Sequence, residues 1–292
     1  MHIAIAQLVT GLSIAAVLLL VALGLTLTFG QMGVINMAHG EFMMAGAYTA
    51  YMLQGPLGRQ SLLVALPAAF VVAGTIGVVL ERLLIRRLYR RPLDTLLATW
   101  GVSLVLQQLA RDLFGAPTVD VRSPSWLDGG FHLAGIDLAY NRLFIMALVA
   151  GAVAALWVYL TKSPQGRRTR AVMENRQLAA CSGIATTGVD QRTFFIGSGL
   201  AGIAGVGVTL LGAVGPTLGS NYIVDAFLVV VVGGIGQLRG AVLAAIALGV
   251  VDSYAEFWTH ASVAKVIVFV AIVAFLQARP QGMFTLRTRT LQ

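Results

Sequence analysis

The chain has 292 residues, of which 58% are hydrophobic and only 11% are charged, and its formal net charge is +8. A soluble domain carries about a quarter charged residues, so the composition excludes an ordinary soluble enzyme, a disordered chain and a fibrous protein. The apolar residues are bunched into runs of the roughly 20 residues that a bilayer span requires, and residues 1–40 contain no Asp, Glu, Lys or Arg. We therefore predict one all-α polytopic membrane domain over residues 1–292.

Nine apolar segments follow one another along the chain and use most of it. They are 6–29, 33–54, 60–80, 94–113, 140–160, 193–214, 223–238, 240–257 and 261–278. Segment 33–54 begins too soon after the first for an ordinary loop, so it either crosses the membrane or is a broken, re-entrant helix. Segments 223–238 and 240–257 are short, and one of the two is a second candidate for a discontinuous helix. We expect eight or nine transmembrane or re-entrant helices.

Basic residues are concentrated in three connecting segments: five in 81–92, six in 161–192 and three in the C-terminal tail. Loop 115–139 holds only Arg122, against three aspartates. Because Lys and Arg in short loops stay on the cytoplasmic side, we expect the three basic segments, including the C-terminus, in the cytoplasm and 115–139 outside. The N-terminus then lies outside if 33–54 spans and inside if it is re-entrant. Loop 115–139 is rich in turn residues, and it is either a plain connector or a docking surface.

Nucleotide, metal and catalytic chemistry are not expected in this chain. A P-loop requires Gly before Lys-Ser, whereas Thr161 precedes Lys162. Residues 197–202 spell G-x-G-x-x-G, but they lie in an apolar run, where small residues that let membrane helices approach closely explain them better. Four histidines and one cysteine leave little for a metal site, and a nucleophile–base pair is not recognisable. We expect no catalytic residue, metal or cofactor, and no nucleic-acid partner.

Polar residues inside the predicted spans are the strongest functional signal, because each is costly unless it is paired or faces a cavity. The candidates for lining or gating a permeation pathway are Asn36, His39, Glu41, Gln107, Gln108, Asn221 and Asp225. For Glu41, the expected hydrogen-bond donor is His39 or a partner subunit. The alternative interpretation is a polar clasp between helices. Asp252, Glu256 and Lys265 form a further group that we interpret as structural, with Lys265 neutralising one of the two acids.

The longest basic segment, 161–192, is predicted to contain a short amphipathic helix. Ser163 followed by Pro164 is typical of a helix start, and Gly183 is placed to cap the end. Such a helix suits docking into the groove of a partner. A purely solvated loop is the alternative.

Residues 30–42 (GQMGVINMAHGEF) and 225–237 (DAFLVVVVGGIGQ) resemble the signatures of ABC importer permeases of the branched-chain amino-acid type. Residues 97–104, 115–117 and 215–225 are similar to the urea branch of that family, and the resemblance runs from about residue 8 to 286. It implies the transmembrane permease subunit of an ATP-driven importer, with urea as the expected solute. A neutral amide needs no charge compensation, unlike a zwitterion. Branched-chain amino-acid or short-amide import is the alternative, and an uncoupled channel or uniporter is a further one.

The resemblance also implies partners: a second homologous permease subunit, two ATP-binding subunits and a periplasmic solute-binding protein. The chain itself is then a transport subunit rather than an enzyme, and it lies in the bacterial inner membrane in contact with lipid. The segment around 164–191 resembles the family's coupling segment. The residues expected to couple it to the ATP-binding subunits are Arg170, Glu174, Arg176, Leu178, Ala179 and Gly183.

Overall fold

A computed structural model describes residues 2–58, 61–89, 91–133 and 136–284, which form an all-α bundle. The α-helices of this part of the chain are α1 (His2–Met32), α2 (His39–Leu57), α3 (Ser61–Leu83), α4 (Pro92–Phe114), α5 (Tyr140–Lys162), α6 (Pro164–Glu174), α7 (Arg176–Cys181), α8 (Thr186–Thr209), α9 (Leu218–Gly233), α10 (Leu238–Trp258) and α11 (Ala261–Ala278). Two short antiparallel strands, β1 (Gly130–Leu133) and β2 (Ile136–Ala139), form a hairpin with Gly130 opposite Ala139.

Six of these helices, α1, α3, α5, α8, α10 and α11, are long and apolar enough to cross a membrane. Helix α9 is a shorter apolar helix. Each of the nine predicted segments overlaps a helix, and three boundaries differ notably. Helix α8 begins earlier than predicted because its first turns are polar, and α9 begins soon after Pro216. The predicted pair 223–238 and 240–257 proves to be two separate helices.

The third difference is in segment 33–54, where the helix begins only at His39. Gly33 adopts φ +65° and its N–H donates to the carbonyl of Phe29 at 2.8 Å, which ends α1 in the left-handed conformation that glycine favours. The Asn36 side chain then accepts a hydrogen bond from the N–H of Ala38 at 3.1 Å. Local side-chain bonding of this kind competes with helix formation, so residues 33–38 stay non-helical.

Residues 33–57 nevertheless run from one end of the bundle to the other. The Met32 sulfur lies 3.4 Å from the Tyr89 hydroxyl at the end that carries the basic segments. The Gln54 side chain accepts from the N–H of Arg122, at the opposite end. Segment 33–57 is therefore a complete pass rather than a re-entrant one. Helix α1, which ends beside Tyr89, begins at the end opposite the basic segments.

The basic segments gather at one end, which we call the basic end. Arg82 donates to the Gln191 side chain at 3.1 Å, which joins 81–92 to 161–192. Met283 donates its N–H to Val232 at the α9–α10 turn at 2.8 Å, so the described part of the tail lies there too. Val119 pairs with Val214 at the other end. Arg90, Arg287 and Arg289 lie outside the described residues.

Helix α8 occupies the centre of the bundle, and its glycines let its neighbours approach to backbone contact. A Cβ added to Gly46 would lie 2.0 Å from the Gly202 carbonyl oxygen, and one added to Gly24 would lie 2.2 Å from that of Gly197. One added to Gly205 would lie 1.9 Å from the Met43 carbonyl oxygen. This confirms that the G-x-G-x-x-G run of residues 197–202 serves close helix packing.

Candidate functional site

Glu41 lies in the first turn of α2, inside the bundle, and only 1% of the residue is exposed. Its Oε1 atom accepts hydrogen bonds from the Ser103 hydroxyl at 2.7 Å and from the Gln107 amide at 2.9 Å. The same amide nitrogen lies 2.8 Å from the hydroxyl of Ser220 on α9. Glu41 Oε2 has no hydrogen-bond partner among the described residues. Because a buried acceptor without a partner is costly, this oxygen is the atom best placed to receive a polar group.

Helix α4 directs a stripe of small polar side chains toward this carboxylate. The members recur at every fourth position, lie on one face and are all buried: Thr95, Thr99, Ser103 and Gln107. The other faces of α4 carry large exposed apolar side chains, among them Leu97, Trp100, Leu104, Val105, Leu109 and Leu113. A helix with its polar face inward and its apolar face outward is the reverse of a soluble surface helix. In a bilayer this arrangement would put the apolar face of α4 against lipid and its polar face inside the bundle.

The non-helical residues 33–38 lie against the start of this stripe. The N–H of Met37 donates to the Thr99 hydroxyl at 3.0 Å. Asn36 is 1% exposed, and its amide nitrogen has no partner among the described residues. Irregular backbone at membrane depth is tolerated only beside protein or a polar cavity. Residues 33–38, Glu41 and the α4 stripe lie side by side, and together we call them the Glu41 site.

His39 is completely buried but faces away from Glu41. Its Nε2 atom lies 3.3 Å from the carbonyl oxygen of Val21 on α1, and its ring packs edge-on against Phe42. Residues two apart on a helix do not share a face, so His39 cannot reach the Glu41 carboxylate. The expectation that His39 donates to Glu41 is wrong, and Ser103 and Gln107 are the donors.

Gln108 and Asn221 also lie off the Glu41 site. Gln108 projects from the exposed side of α4, where its amide donates to Asp112 at 2.8 Å. Consecutive helical residues point about 100° apart, so only Gln107 of the glutamine pair turns inward. Asn221 is exposed on α9, beside Ser220, which does reach the site.

Asp225 belongs to a different cluster. Its carboxylate forms an ion pair with Lys265 of α11 at 3.7 Å, and both residues line a small cavity with Asp252. The grouping of Asp225 with Glu41 is therefore corrected: the two acids contact different helices. Lys265 pairs with Asp225 rather than with Asp252 or Glu256, the partners expected from sequence.

A second polar network lies at the basic end and centres on Asp190, which is completely buried. Arg176 of α7 binds both of its carboxylate oxygens, at 3.1 and 2.5 Å. The Gln31 amide, in the last turn of α1, donates to the same carboxylate at 2.6 Å, and Thr193 donates to Gln31. Hydrogen bonding to Asp190 raises the pKa of Arg176 above its ordinary value, so the guanidinium stays charged.

The network extends to the α3–α4 turn through Tyr89. The Arg176 guanidinium lies over the Tyr89 ring, 5.3 Å from its centroid, in a cation–π contact. The Tyr89 hydroxyl donates to the buried carboxylate of Glu81 on α3 at 3.0 Å. Burial raises the pKa of Tyr89 well above its ordinary value, so the phenol remains a donor. Arg176 thus ties α7 to α1, α3 and α8.

The predicted amphipathic helix of 161–192 is two helices, α6 and α7. The Ser163 hydroxyl accepts from the N–H of Gly166 at 2.8 Å, the predicted N-cap. Asn175 interrupts the helix and caps α7 by accepting from the N–H of Leu178. Gly183 follows α7 with φ +79°, as expected for a residue that ends a helix.

The residues expected to couple this segment to a partner divide into two groups. Arg170, Glu174 and Leu178 are exposed, and Leu178 exposes 63% of its surface although it is apolar. Ala179 is only 5% exposed and packs with Val172 and Val189. A direct partner contact by the Ala179 side chain is therefore ruled out in this conformation, because its Cβ faces α6 and α8.

Not all of the residues in the two polar networks were identified from the sequence. The missed residues are Thr99, Ser103 and Ser220 near Glu41, and Gln31, Glu81, Tyr89 and Asp190 in the second network. The period-four run T-x3-T-x3-S-x3-Q over residues 95–107 was the available signal for the α4 stripe. The second network joins residues up to 162 positions apart, and its members carry no local pattern.

An all-α bundle with six helices long and apolar enough to cross a membrane is typical of a polytopic membrane protein. Residues 7–276 match the family described as branched-chain amino acid transport system / permease component. The chain belongs to this family of ABC transporter permeases, and it is a transport subunit rather than an enzyme.

Relatives with assigned names agree with this assignment. The chain is 29% identical over 290 residues, 94% of each chain, to the high-affinity branched-chain amino acid transport system permease protein BraD of Pseudomonas aeruginosa. It has the same identity and coverage with the corresponding permease protein LivH of Escherichia coli. A shorter match, 34% identical over 109 residues and about a third of each chain, is to the ribose import permease protein RbsC of Bacillus subtilis. These names support the branched-chain amino-acid alternative better than the urea assignment.

Proposed function

We propose that the chain is the permease subunit of an ATP-driven importer in which the solute passes the Glu41 site. One observation carries this proposal: a buried carboxylate with an unpartnered oxygen lies against the polar stripe of α4 inside the bundle. A half-satisfied buried network is costly, so a solute that donates a hydrogen bond to Glu41 Oε2 would be bound favourably there. A pathway needs an acceptor that is free when the solute arrives.

Branched-chain amino acids are the solute class that we favour. Glu41 Oε2 is a suitable acceptor for the ammonium group of an amino acid, and a charge-assisted hydrogen bond of that kind is stronger than a neutral one. The apolar side chain of the solute suits the surrounding helices. The names of the relatives point to the same class.

Urea or a short amide is the second candidate, and a different observation supports it. Three of the groups around Glu41 are uncharged: the hydroxyls of Ser103 and Ser220 and the amide of Gln107. Hydroxyl and amide groups can exchange hydrogen bonds with a neutral amide without a counter-ion. Competition between leucine and urea in uptake distinguishes the two classes.

Glu41 is buried within the bundle, so passage of a solute beside it requires a rearrangement. On its inner face, α4 is held by hydrogen bonds of Thr99, Ser103 and Gln107. Replacing these hydrogen bonds by hydrogen bonds to a solute costs little free energy. We propose that α4 separates from α2 when the pathway opens. Its outer face carries mostly large apolar side chains, with the exposed Gln108–Asp112 pair near one end, so it remains compatible with lipid in either position.

In this proposal, the second polar network couples the movement of α4 to ATP hydrolysis by the ATP-binding subunits. Arg176 of α7 holds Asp190, Asp190 holds Gln31 at the end of α1, and residues 33–38 lead directly from α1 to Glu41. A displacement of α7 by a partner would therefore reach the Glu41 site over a short stretch of chain. An uncoupled channel or uniporter would have no use for this connection.

The remaining partners follow from the two ends of the bundle. The basic end faces the cytoplasm by the positive-inside rule, which places the C-terminal tail inside and the start of α1 outside. Two ATP-binding subunits are proposed to dock there, with the exposed Leu178 among the contacts. A second permease subunit completes the transmembrane part of the importer in the inner membrane. A solute-binding protein docks at the end of the bundle opposite the basic end. The chain itself is proposed to need no cofactor.

Solute uptake by cells with and without this chain tests the proposal. Uptake of labelled leucine that depends on the chain and on ATP, and that excess urea does not reduce, supports the amino-acid assignment. Dependence on the chain with competition by urea alone would transfer the assignment to urea. Uptake that persists after ATP depletion would favour the uniporter.

A further inference from the structure

A deep apolar groove opens on the outside of the bundle between α1, α5 and α10, well away from the Glu41 site. Its volume is about 850 Å³. Small side chains create the depth: Ala15 and Ala16 on α1 face Ala150 and Ala154 on α5. Arg239 at the start of α10 is the only charged residue that lines the groove among the described residues.

The groove continues at the basic end into a second, more polar cavity of about 440 Å³. Trp157 and Arg239 line both spaces, so the two form one amphipathic channel. The polar part adds Arg170 and Glu174 of α6. Two arginines against one carboxylate leave a net charge of +1, and neither arginine forms an ion pair with the described residues.

The dimensions fit one leaflet of a bilayer. From Met146 to Trp157 the groove follows α5 over eleven helical steps, which is about 16 Å at the helical rise. Half of a typical hydrocarbon core is about 15 Å. The exposed indole of Trp157 lies where apolar and polar parts meet, the position that tryptophan favours at a membrane interface.

We propose that this channel is a binding site for one anionic diacyl phospholipid of the phosphatidylglycerol type. The acyl chains lie in the groove between α1 and α5, and the phosphate binds Arg239 and Arg170. Glu174 accepts a hydrogen bond from the glycerol headgroup. Basic pockets between membrane helices on the cytoplasmic side recognise anionic lipid headgroups in this way. The lipid would connect α6, in the coupling segment, with α10.

The charge of the polar cavity favours this occupant over the others. A zwitterionic lipid would leave the net positive charge unbalanced, and an apolar helix of a second permease would bury Arg170 and Arg239 without a counter-ion. Burying an unpaired charge is strongly unfavourable. An anionic headgroup compensates the charge while the groove takes the apolar remainder.

The test is lipid binding to the purified, delipidated full-length chain, measured by native mass spectrometry during titration with phosphatidylglycerol, phosphatidylethanolamine or phosphatidylcholine. We expect one phosphatidylglycerol to bind in preference to the other two. The double substitution Arg170→Ala/Arg239→Ala should weaken that binding roughly 30-fold, from the contribution of two basic residues near an anionic lipid. The matched control is Arg86→Ala/Arg168→Ala, which removes the same charge from exposed positions at the same end and should leave binding unchanged.

A second pair of variants tests the groove. Ala154→Trp fills it and should abolish retention of phosphatidylglycerol, whereas Ala155→Trp, on the neighbouring exposed face of α5, should not. Equal binding of the three lipids, or wild-type binding by both the double-arginine and Ala154→Trp variants, would overturn the proposal. Efficient disulfide cross-linking of Ala154→Cys to a second permease in membranes would overturn it too, because the groove would then be a protein interface.

Discussion

The guanidinium of Arg176 forms a two-point ion pair with the carboxylate of Asp190, and this pair anchors the short helix α7 to the centre of the bundle. Asp190 is shielded from solvent and also binds Gln31, whereas the Arg176 side chain is 38% exposed. Arg176 thus acts as a positioning residue inside the protein, with one edge open to a partner.

The first prediction concerns the geometry of this pair. Arg176→Lys keeps the charge but loses the two-point contact and the cation–π contact with Tyr89. We expect the variant to assemble, to hydrolyse ATP and to take up less solute per ATP hydrolysed. Arg176→Gln leaves Asp190 unpaired and should cost about 1–3 kcal/mol of stability, between the values for exposed and buried pairs.

The measurement is uptake and ATP hydrolysis on the same reconstituted complex. Arg168→Lys, at an exposed position of α6, is the control and should behave as wild type. An unchanged ratio of uptake to hydrolysis in Arg176→Lys would show that the Arg176–Asp190 pair has no part in coupling.

The second prediction separates contact from packing in the coupling segment. Leu178 is exposed and apolar, so Leu178→Asp should weaken association with the ATP-binding subunits while the permease remains folded. Ala179→Trp should instead disrupt the packing of Val172 and Val189 and lower the melting temperature of the permease alone. Co-purification and thermal unfolding of both variants provide the readouts, and Ala180→Trp, at the adjacent exposed position, is the control. A lower melting temperature of the Leu178→Asp permease would contradict the assignment of Leu178 to partner contact and Ala179 to internal packing.

The third prediction concerns the glycines of α8. Gly205→Val places a side chain against the Met43 carbonyl oxygen, and the resulting overpacking should cost about 2 kcal/mol or more. Gly151→Val on α5 meets no atom within 4 Å and should be tolerated. The amount of folded, detergent-soluble protein after a temperature series measures the difference. Equal yields of the two variants would contradict the close packing of α2 on α8.

Much of this fold was predictable from local pattern. Runs of apolar residues predicted the positions of the helices, including the segment 193–214 that lies mostly in α8. The start of α2 was harder, because Gly33 and Asn36 end one helix and delay the next within an apolar run. Hydropathy averages over such a break.

The candidate site was predictable only in part, for a physical reason. Glu41 was recognisable because a carboxylate in an apolar run is costly. Its partners Ser103 and Ser220 are ordinary residues until the fold brings α4 and α9 to α2. Asp225 was wrongly grouped with Glu41, because the sequence alone does not show which acidic residue lies nearest Lys265.

The fourth prediction concerns orientation. With Cys181→Ser as background, a cysteine at Ser125 should react with a membrane-impermeant maleimide on intact spheroplasts, because that loop lies opposite the basic end. A cysteine at Ser182, in the coupling segment, should react only after permeabilisation. The opposite pattern would invert the membrane assignment of the two ends.

The central claim is that the solute passes Glu41. Glu41→Gln keeps the shape and both hydrogen bonds to Oε1, but it removes the charge and puts a donor into the site. Asp112→Asn, on the exposed side of α4, is the matched control. The decisive measurement is leucine uptake divided by the amount of assembled importer complex in each variant. We predict that this ratio falls at least tenfold in Glu41→Gln and stays at the wild-type value in Asp112→Asn. A wild-type ratio in Glu41→Gln, with only the amount of complex reduced, would contradict the pathway and make Glu41 a structural clasp.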